Sequence, residues 1–398
     1  MGDLFPSKAI AGVGVIFYLM LAFRAKLNEI NWFELRGLTC PKLVQFLDYV
    51  ALGTIADVVP LDKNNRIIVH QGLRQIRAGR AHPGILALLE VAGRKREKLR
   101  ATDLGFIIGP RLNAAGRLDD MSLGVACLLA SDMNVAREIA LRLDDLNKER
   151  RVIETQMQRE AFQVVDKLNL EKENTHALCL YQEEWHQGVV GLVASRVKEK
   201  INRPVIAFAK AEDGTLKGSA RSVQGLHIRD VLEAVAVKYP NMMTKFGGHA
   251  MAAGLSLPAE HLPNFEKAFD EQVRARLKEE DLQARLWTDG ELNRDHLTLN
   301  LAELLHDAGP WGQGFPEPLF DGRFKLINQR IVGQRHLKLI LQLPGTEQYV
   351  DGIAFNVNLG EWPNFHCEHV QIAYRLDLNE FQGRRKLQLL VEEIQPDS

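Results

Sequence analysis

The chain has 398 residues, of which 46% are hydrophobic and 25% charged, and its formal net charge is −1. That length exceeds one ordinary core and predicts two or three domains, and the composition excludes a disordered or fibrous chain. Near-neutral charge excludes a whole-molecule pull on polyanions, so any nucleic-acid contact must come from local basic patches.

In chain order, the first notable stretch is Ala9 to Phe23, almost wholly apolar and flanked by Lys8 and Arg24. It is shorter than the roughly 20 residues of a membrane span. It also lacks a signal peptide's basic start and small-residue cleavage site, so it predicts a buried helix. The region to about residue 130 then mixes apolar helical runs with Gly- and Pro-punctuated loops. Asp132 to Leu168 contains neither Gly nor Pro, and Ile139, Leu143, Leu146, Ile153, Met157, Ala161, Val164 and Leu168 recur at helical steps. This is one apolar stripe on a long helix, with Ser131 or Asp132 as its cap. Asp144, Lys148, Glu149, Arg150 and Arg151 make its middle polar for a core helix, which predicts a bridge between two domains.

From about residue 174 the texture alternates: a strand over 176–182, a helix over 188–200, a strand over 204–210, then a turn and a third strand over 213–222. That order predicts a small α/β domain. Beyond residue 290, five strand-like runs are separated by turns at Pro344-Gly345, Asp351-Gly352 and Gln382-Gly383, which predicts a small barrel of OB type. The four cysteines, Cys40, Cys127, Cys179 and Cys367, are far apart and form no CxxC pair. Free thiols in a reducing cytosol are expected, not a disulfide framework or a zinc knuckle.

Four stretches carry residues that are costly for a plain core. Asp57 lies within Gly53–Leu61, an apolar run where a carboxylate must be paired, bind metal, or cap a helix or turn. Arg111, Asn113 and Arg117 are interleaved with small residues, a pattern that suits phosphate oxygens or, equally, a surface ion-pair network. Ser219 and Arg221 follow a glycine in a pattern like an anion nest, with His227 close behind. Gly247, Gly248 and His249 precede a run of small residues and predict close approach of a nucleotide where a helix begins. His186, beside Trp185, is either a substrate contact or a packed helix-start residue.

Together these stretches resemble the RecJ exonucleases of the DHH phosphoesterase superfamily. The similarity is carried by ALGTIADVVPLDKNNR (51–66), GPRLNAAGRLDD (109–120), EWHQGVVGLVASR (184–196), GSARSVQGLHIRD (218–230), KFGGHAMAAGLSL (245–257) and GPWGQGFPEPLF (309–320). The resemblance implies an α/β chain in four parts. These are the C-terminal part of a DHH domain over 1–130, a long connecting helix over 131–172, a DHH-associated α/β domain over 173–285 and an OB-type β-barrel over 286–398. It implies 5′→3′ degradation of single-stranded DNA in recombination and repair, with Mn²⁺ or Mg²⁺ in a two-metal site. It also implies a cytoplasmic location, with a single-strand-binding protein and a helicase as partners.

Carried over by resemblance, Asp57 matches a metal-ligand aspartate. Arg111, Asn113 and Arg117 would grip phosphates, Ser219 and Arg221 would hold the terminal 5′ phosphate, and Gly247, Gly248 and His249 match a substrate motif. Phe320, Phe355 and Tyr374 are stacking candidates on the barrel, with barrel core as their alternative. The chain departs from the family in one respect: it contains neither a DHH tripeptide nor a DxDxDG segment. One aspartate cannot hold two divalent ions. The resemblance therefore implies a weakly active or inactive chain, with the opening helix lacking its cover and the first 130 residues folding poorly alone. A strand-binding module without catalysis and a dinucleotide phosphodiesterase are the competing functions.

Overall fold

The computed structural model describes residues 5–168, 175–381 and 383–397, and the chain divides into two compact units. Unit 1 combines residues 1–109 with 286–398, and unit 2 comprises Pro110–Arg285. The expected boundary at 172/173 and Gln382 of the last expected turn lie outside the described residues.

The first part of unit 1 is helical: α1 (Gly12–Glu29), α2 (Trp32–Leu35), α3 (Leu47–Ala56), α4 (Lys63–Arg77), α5 (Pro83–Val91) and the single turn α6 (Ala101–Asp103). Asp62 caps α4 by accepting from the Asn65 amide. The opening apolar run is a helix, but it is not buried throughout. Phe17 is enclosed by Leu43, Leu47, Val50 and Ile68, whereas Val15, Ile16, Leu19 and Phe23 on its other side are more than half exposed. No helix among the described residues is long and apolar enough to cross a membrane.

Unit 2 follows with α7 (Gly109–Leu118), α8 (Ser122–Leu129) and the long α9 (Met133–Val165). Asp132 caps α9 by accepting from the amides of Asn134 and Val135. Its polar middle is solvated only in part: Lys148, Glu149 and Arg151 are exposed. Asp144, Asn147 and Arg150 are buried at helical spacing, and α9 packs against α8 and α10 inside this one unit. Then come β1 (Leu178–Tyr181), α10 (Val190–Ile201), β2 (Val205–Lys210), β3 (Thr215–Arg221), α11 (Ile228–Lys238), β4 (Lys245–Gly248), β5 (Ala252–Pro258) and α12 (Leu262–Arg274). The strands form one sheet in the order β1-β2-β3-β5-β4, with β1 and β2 parallel and the other pairs antiparallel. On one face, Val205, Ala207 and Ala209 pack under Val190, Val193, Ala194 and Val197 of α10. On the other, Leu216, Ala220 and Leu255 meet α11 and α12 through Leu232, Phe265 and Phe269.

The chain then returns to unit 1 with α13 (Leu299–Ala308) and five strands: β6 (Phe320–Val332), β7 (His336–Gln342), β8 (Tyr349–Ala354), β9 (His369–Phe381) and β10 (Arg384–Asp397). They close into a barrel in the order β10-β8-β7-β6-β9, with β8 and β10 parallel. In barrel order this reads 1-2-3-5-4, the five-stranded Greek-key closure expected of an OB fold. Pro344-Gly345 is a turn as expected, but Asp351-Gly352 lies inside β8. Gly352 sits under Leu339 and Leu341, where a Cβ would come within 3.3 Å of each. Within unit 1, Leu61 donates its amide to Gln313 O at 2.6 Å, and Arg66 lies over the Phe315 ring at 4.0 Å.

Candidate functional site

The densest group of expected site residues lies in unit 2, where β3 passes beneath the start of α10. Strand alternation puts Lys217, Ser219 and Arg221 on one face and Leu216, Gly218 and Ala220 in the core on the other. The Arg221 guanidinium is held in place by neutral oxygens. Its Nε donates to Ser195 Oγ at 3.1 Å, and its Nη1 donates to Ser219 Oγ at 3.2 Å and to Ala220 O at 2.8 Å. Ser195 Oγ in turn donates to Gly191 O at 3.0 Å. Gly191 makes the room: a Cβ there would lie 2.7 Å from Arg221 Nη2 and 2.8 Å from Ser219 Oγ.

Arg117 reaches the same place from α7, and its Nη1 donates to Gly188 O at 2.8 Å. A Cβ on Gly188 would come 2.3 Å from Arg117 O, so α7 approaches the turn before α10 backbone to backbone. Burial lowers the Arg221 pKa, and the Arg117 charge lowers it further. Burial also lowers that of Arg117, with the Glu154 charge acting in opposition. Both guanidiniums stay charged at physiological pH. Two half-buried like charges bonded to neutral oxygens are a chemistry suited to an anion, because an oxyanion would offset both their repulsion and their desolvation.

The remaining expected residues take varied roles. Arg111 is held by Asp144, whose Oδ1 accepts from Nε at 2.9 Å and lies 2.8 Å from Nη2, while Lys148 lies 2.9 Å from Oδ2. Burial pushes the Asp144 carboxyl up, but hydrogen bonds and charge from Lys148 and Arg111 outweigh it and hold it below the usual range. For Arg111 the ion-pair alternative describes the geometry. Asn113 is exposed on α7, four residues before Arg117 and therefore on the same face. His186 Nδ1 accepts from the Gly188 amide at 3.0 Å, which shapes the turn before α10. His227 caps α11.

Gly247, Gly248 and His249 do not precede a helix. The two glycines end β4, and the His249 amide donates to Ala252 O at 2.8 Å to close a hairpin with β5. Gly248 has φ +145°, and a Cβ there would meet Ala252 O and Ala253 Cα at 2.5 Å. The glycines serve a tight hairpin, a need the sequence pattern shares with a helix start.

In unit 1, Asp57 is exposed at the end of α3, with its amide donating to Gly53 O at 2.9 Å. Among the described residues no group of three or more His, Cys, Asp or Glu is placed to hold a metal ion. A single carboxylate does not meet the several oxygen ligands that Mn²⁺ or Mg²⁺ takes, so these residues do not fit a two-metal centre. On the barrel, Phe320 and Tyr374 face inward, with Tyr374 fully buried and its ring 5.6 Å from that of Phe324. They are core. Phe355 is 56% exposed just past β8, beside His336.

Sequence reasoning missed Gly191, Ser195, Glu154 and Asp144. A signal was available for the first pair, since Gly191 and Ser195 are four residues apart and share one helix face. Asp144 and Glu154 each have a partner four residues away, Lys148 and Arg150, but their partners Arg111 and Arg196 are distant in sequence and left no local trace.

The DHHA1 domain family matches residues 174–275, and the RecJ OB domain family matches residues 288–393. The single-stranded-DNA-specific exonuclease RecJ of Escherichia coli is 56% identical over 393 residues, covering 98% of this chain and 68% of that protein. Its namesake from Haemophilus influenzae is 54% identical over 395 residues, with the same coverage. Crystal structures of RecJ from Thermus thermophilus in complex with Mg²⁺ and with Mn²⁺ superpose with a TM-score of 0.75 at 29% identity. They cover 92% of this chain, which spans 54% and 51% of theirs. With a closed five-stranded barrel where the RecJ OB domain family matches and 56% identity over 98% of the chain, the chain belongs to the RecJ family of single-stranded-DNA-specific exonucleases.

Proposed function

We propose that this chain grips the 5′-phosphorylated end of a single DNA strand, as the strand-holding portion of a 5′→3′ exonuclease acting in recombination and repair. One observation carries the reading. Arg221 and Arg117 approach each other half-buried, and Arg221 is oriented by three neutral oxygens. A terminal phosphate carries about −1.5 to −2 charges at neutral pH against −1 for a diester, so this pair favours an end over an internal link. Ser219 adds a hydroxyl donor, and Asn113 lies on the Arg117 face of α7. The exposed glycines Gly247 and Gly254 let a nucleotide lie against the backbone. Phe355 offers an exposed ring to a base farther along the strand.

Hydrolysis with Mn²⁺ or Mg²⁺ is the activity implied by the family, and by resemblance Asp57 would serve as one ligand. The described residues do not complete such a centre, so the chain by itself is expected to bind strands and to cut weakly or not at all. That favours a binding module as the second reading. A five-stranded barrel serves no purpose for a dinucleotide, which argues against the small-molecule reading. A cytoplasmic setting, with a single-strand-binding protein and a helicase nearby, completes the proposal.

Fluorescence anisotropy with a 5′-phosphorylated oligothymidylate and its 5′-hydroxyl counterpart tests it. The phosphorylated strand should bind more tightly, and R221A should remove that preference. Equal affinity for both ends, or preference for duplex, refutes the grip. Vigorous Mn²⁺-dependent release of nucleotides by this chain refutes the expectation of weak cutting.

A further inference from the structure

The face of the unit 2 sheet that carries Arg221 is only half covered. Helix α10 packs over the β1 and β2 residues Leu178, Leu180, Val205, Ala207 and Ala209. Beyond it, register sets out two rows across β3, β5 and β4. Ser219 lies opposite Gly254, which lies opposite Gly247; Lys217 lies opposite Ser256, which lies opposite Lys245. The first row is a bare floor. Gly247 has nothing within 4 Å of its would-be Cβ, and Gly254 has only Gly218 O at 3.9 Å. The second row carries a cation at each end. Among the described residues neither lysine forms an ion pair, and Asp213, whose carboxyl feels the Lys217 charge, is bonded to the Thr215 amide and hydroxyl.

Strand geometry places Lys217 roughly 13 Å along β3 from Arg221, and Lys245 about 10 Å across the sheet from Lys217. We infer that Lys217 and Lys245 form a second phosphate-binding rung, which takes internal phosphates of the strand whose 5′ end sits at Arg221. This rests on the proposed grip and extends it. A solvated pair of surface lysines is the bland alternative, but two features argue against it. The one position between the two cations is the small Ser256, the neighbouring row holds Gly254 and Gly247, and both cations share a face with the terminal site. A strand leaving Arg221 across the glycine floor passes between them. The contact is to backbone phosphate, so it is indifferent to base sequence.

The test is salt-dependent binding of a 5′-phosphorylated oligothymidylate to the full chain and to K217Q/K245Q. Each single-strand phosphate neutralised contributes about 0.7 to the slope of log K against log salt, so the double variant should be shallower by about 1.4. K217Q alone should give half that change. The preference for a 5′-phosphate over a 5′-hydroxyl end should persist, because Arg221 and Ser219 are intact. An unchanged slope while the unaltered chain binds overturns the rung alone. Loss of the 5′-phosphate preference in K217Q/K245Q also overturns it, because the lysines would then belong to the terminal site. No binding by the unaltered chain overturns the grip and the rung together.

Discussion

Gly191→Ala separates the anion site from the stability of the fold. In the first turn of α10, alanine is a better helix former than glycine by up to about 1 kcal/mol, so propensity alone favours the variant. The added methyl would lie 2.7 Å from Arg221 Nη2 and 2.8 Å from Ser219 Oγ, closer than real Cβ contacts allow. Both atoms end side chains, so they can swing aside without moving β3 or α10. Their displacement breaks the geometry in which Arg221 bonds to Ser195, Ser219 and Ala220. Loss of one charge-assisted hydrogen bond to phosphate costs about 1.5–3 kcal/mol, roughly ten- to a hundredfold in Kd. The expected result is therefore an unchanged or slightly raised urea midpoint with a much weaker 5′-phosphorylated strand complex. Urea melts read by circular dichroism and anisotropy titrations at fixed salt measure the two. A variant that binds the phosphorylated strand as tightly as before refutes the assignment of Arg221 and Ser219.

Asp144→Ala removes the largely buried ion pair with Arg111 and should destabilise unit 2 by about 3 kcal/mol, read as a lowered urea midpoint. The pH dependence follows from the same carboxyl, whose folded pKa lies below the ordinary value near 3.9. Its contribution should be complete above that value and lost as pH falls through the lower folded one, so the variant and the parent should begin to converge in stability as pH drops below about 4 and meet only below the folded pKa. On the barrel, Phe355→Ala should weaken strand binding by about 1–3 kcal/mol with little change in melting temperature. Tyr374→Ala should instead lower stability by about 3–5 kcal/mol, whereas Tyr374→Phe should leave both properties unchanged, since the ring is fully buried in the core.

Local signals in the sequence set out most of the elements. The Asp132 cap and the Gly- and Pro-free run define α9, and Val370, Ile372, Tyr374 and Leu376 bury every second position of β9. That same alternation marks Tyr374 as core. What sequence cannot carry is pairing at a distance. Asp144, Arg150 and Glu154 look solvated because the partners of Asp144 and Glu154 include Arg111, on α7, and Arg196, on α10. Glycine is ambiguous for a different reason. Freedom of backbone suits a helix start, a hairpin and a close-packed strand alike, so Gly248 and Gly352 acquire meaning only from Ala252 in one case and Leu339 in the other. The pairing of Ser219 with Arg221 was legible because the two are two apart on one strand, whereas the approach of Arg117 depends on tertiary folding.

Strand β4 has one more consequence. It is the outermost strand of its sheet, four residues long, with the amide and carbonyl groups of its free side turned away from β5. Such an edge is a template on which another chain can add a strand, and proteins guard it with brevity, glycine and lysine. Lys245 is therefore also a sentinel against self-association. If the lysine rung holds, neutralising Lys245 should weaken strand binding and also raise a tendency of the chains to stack edge to edge.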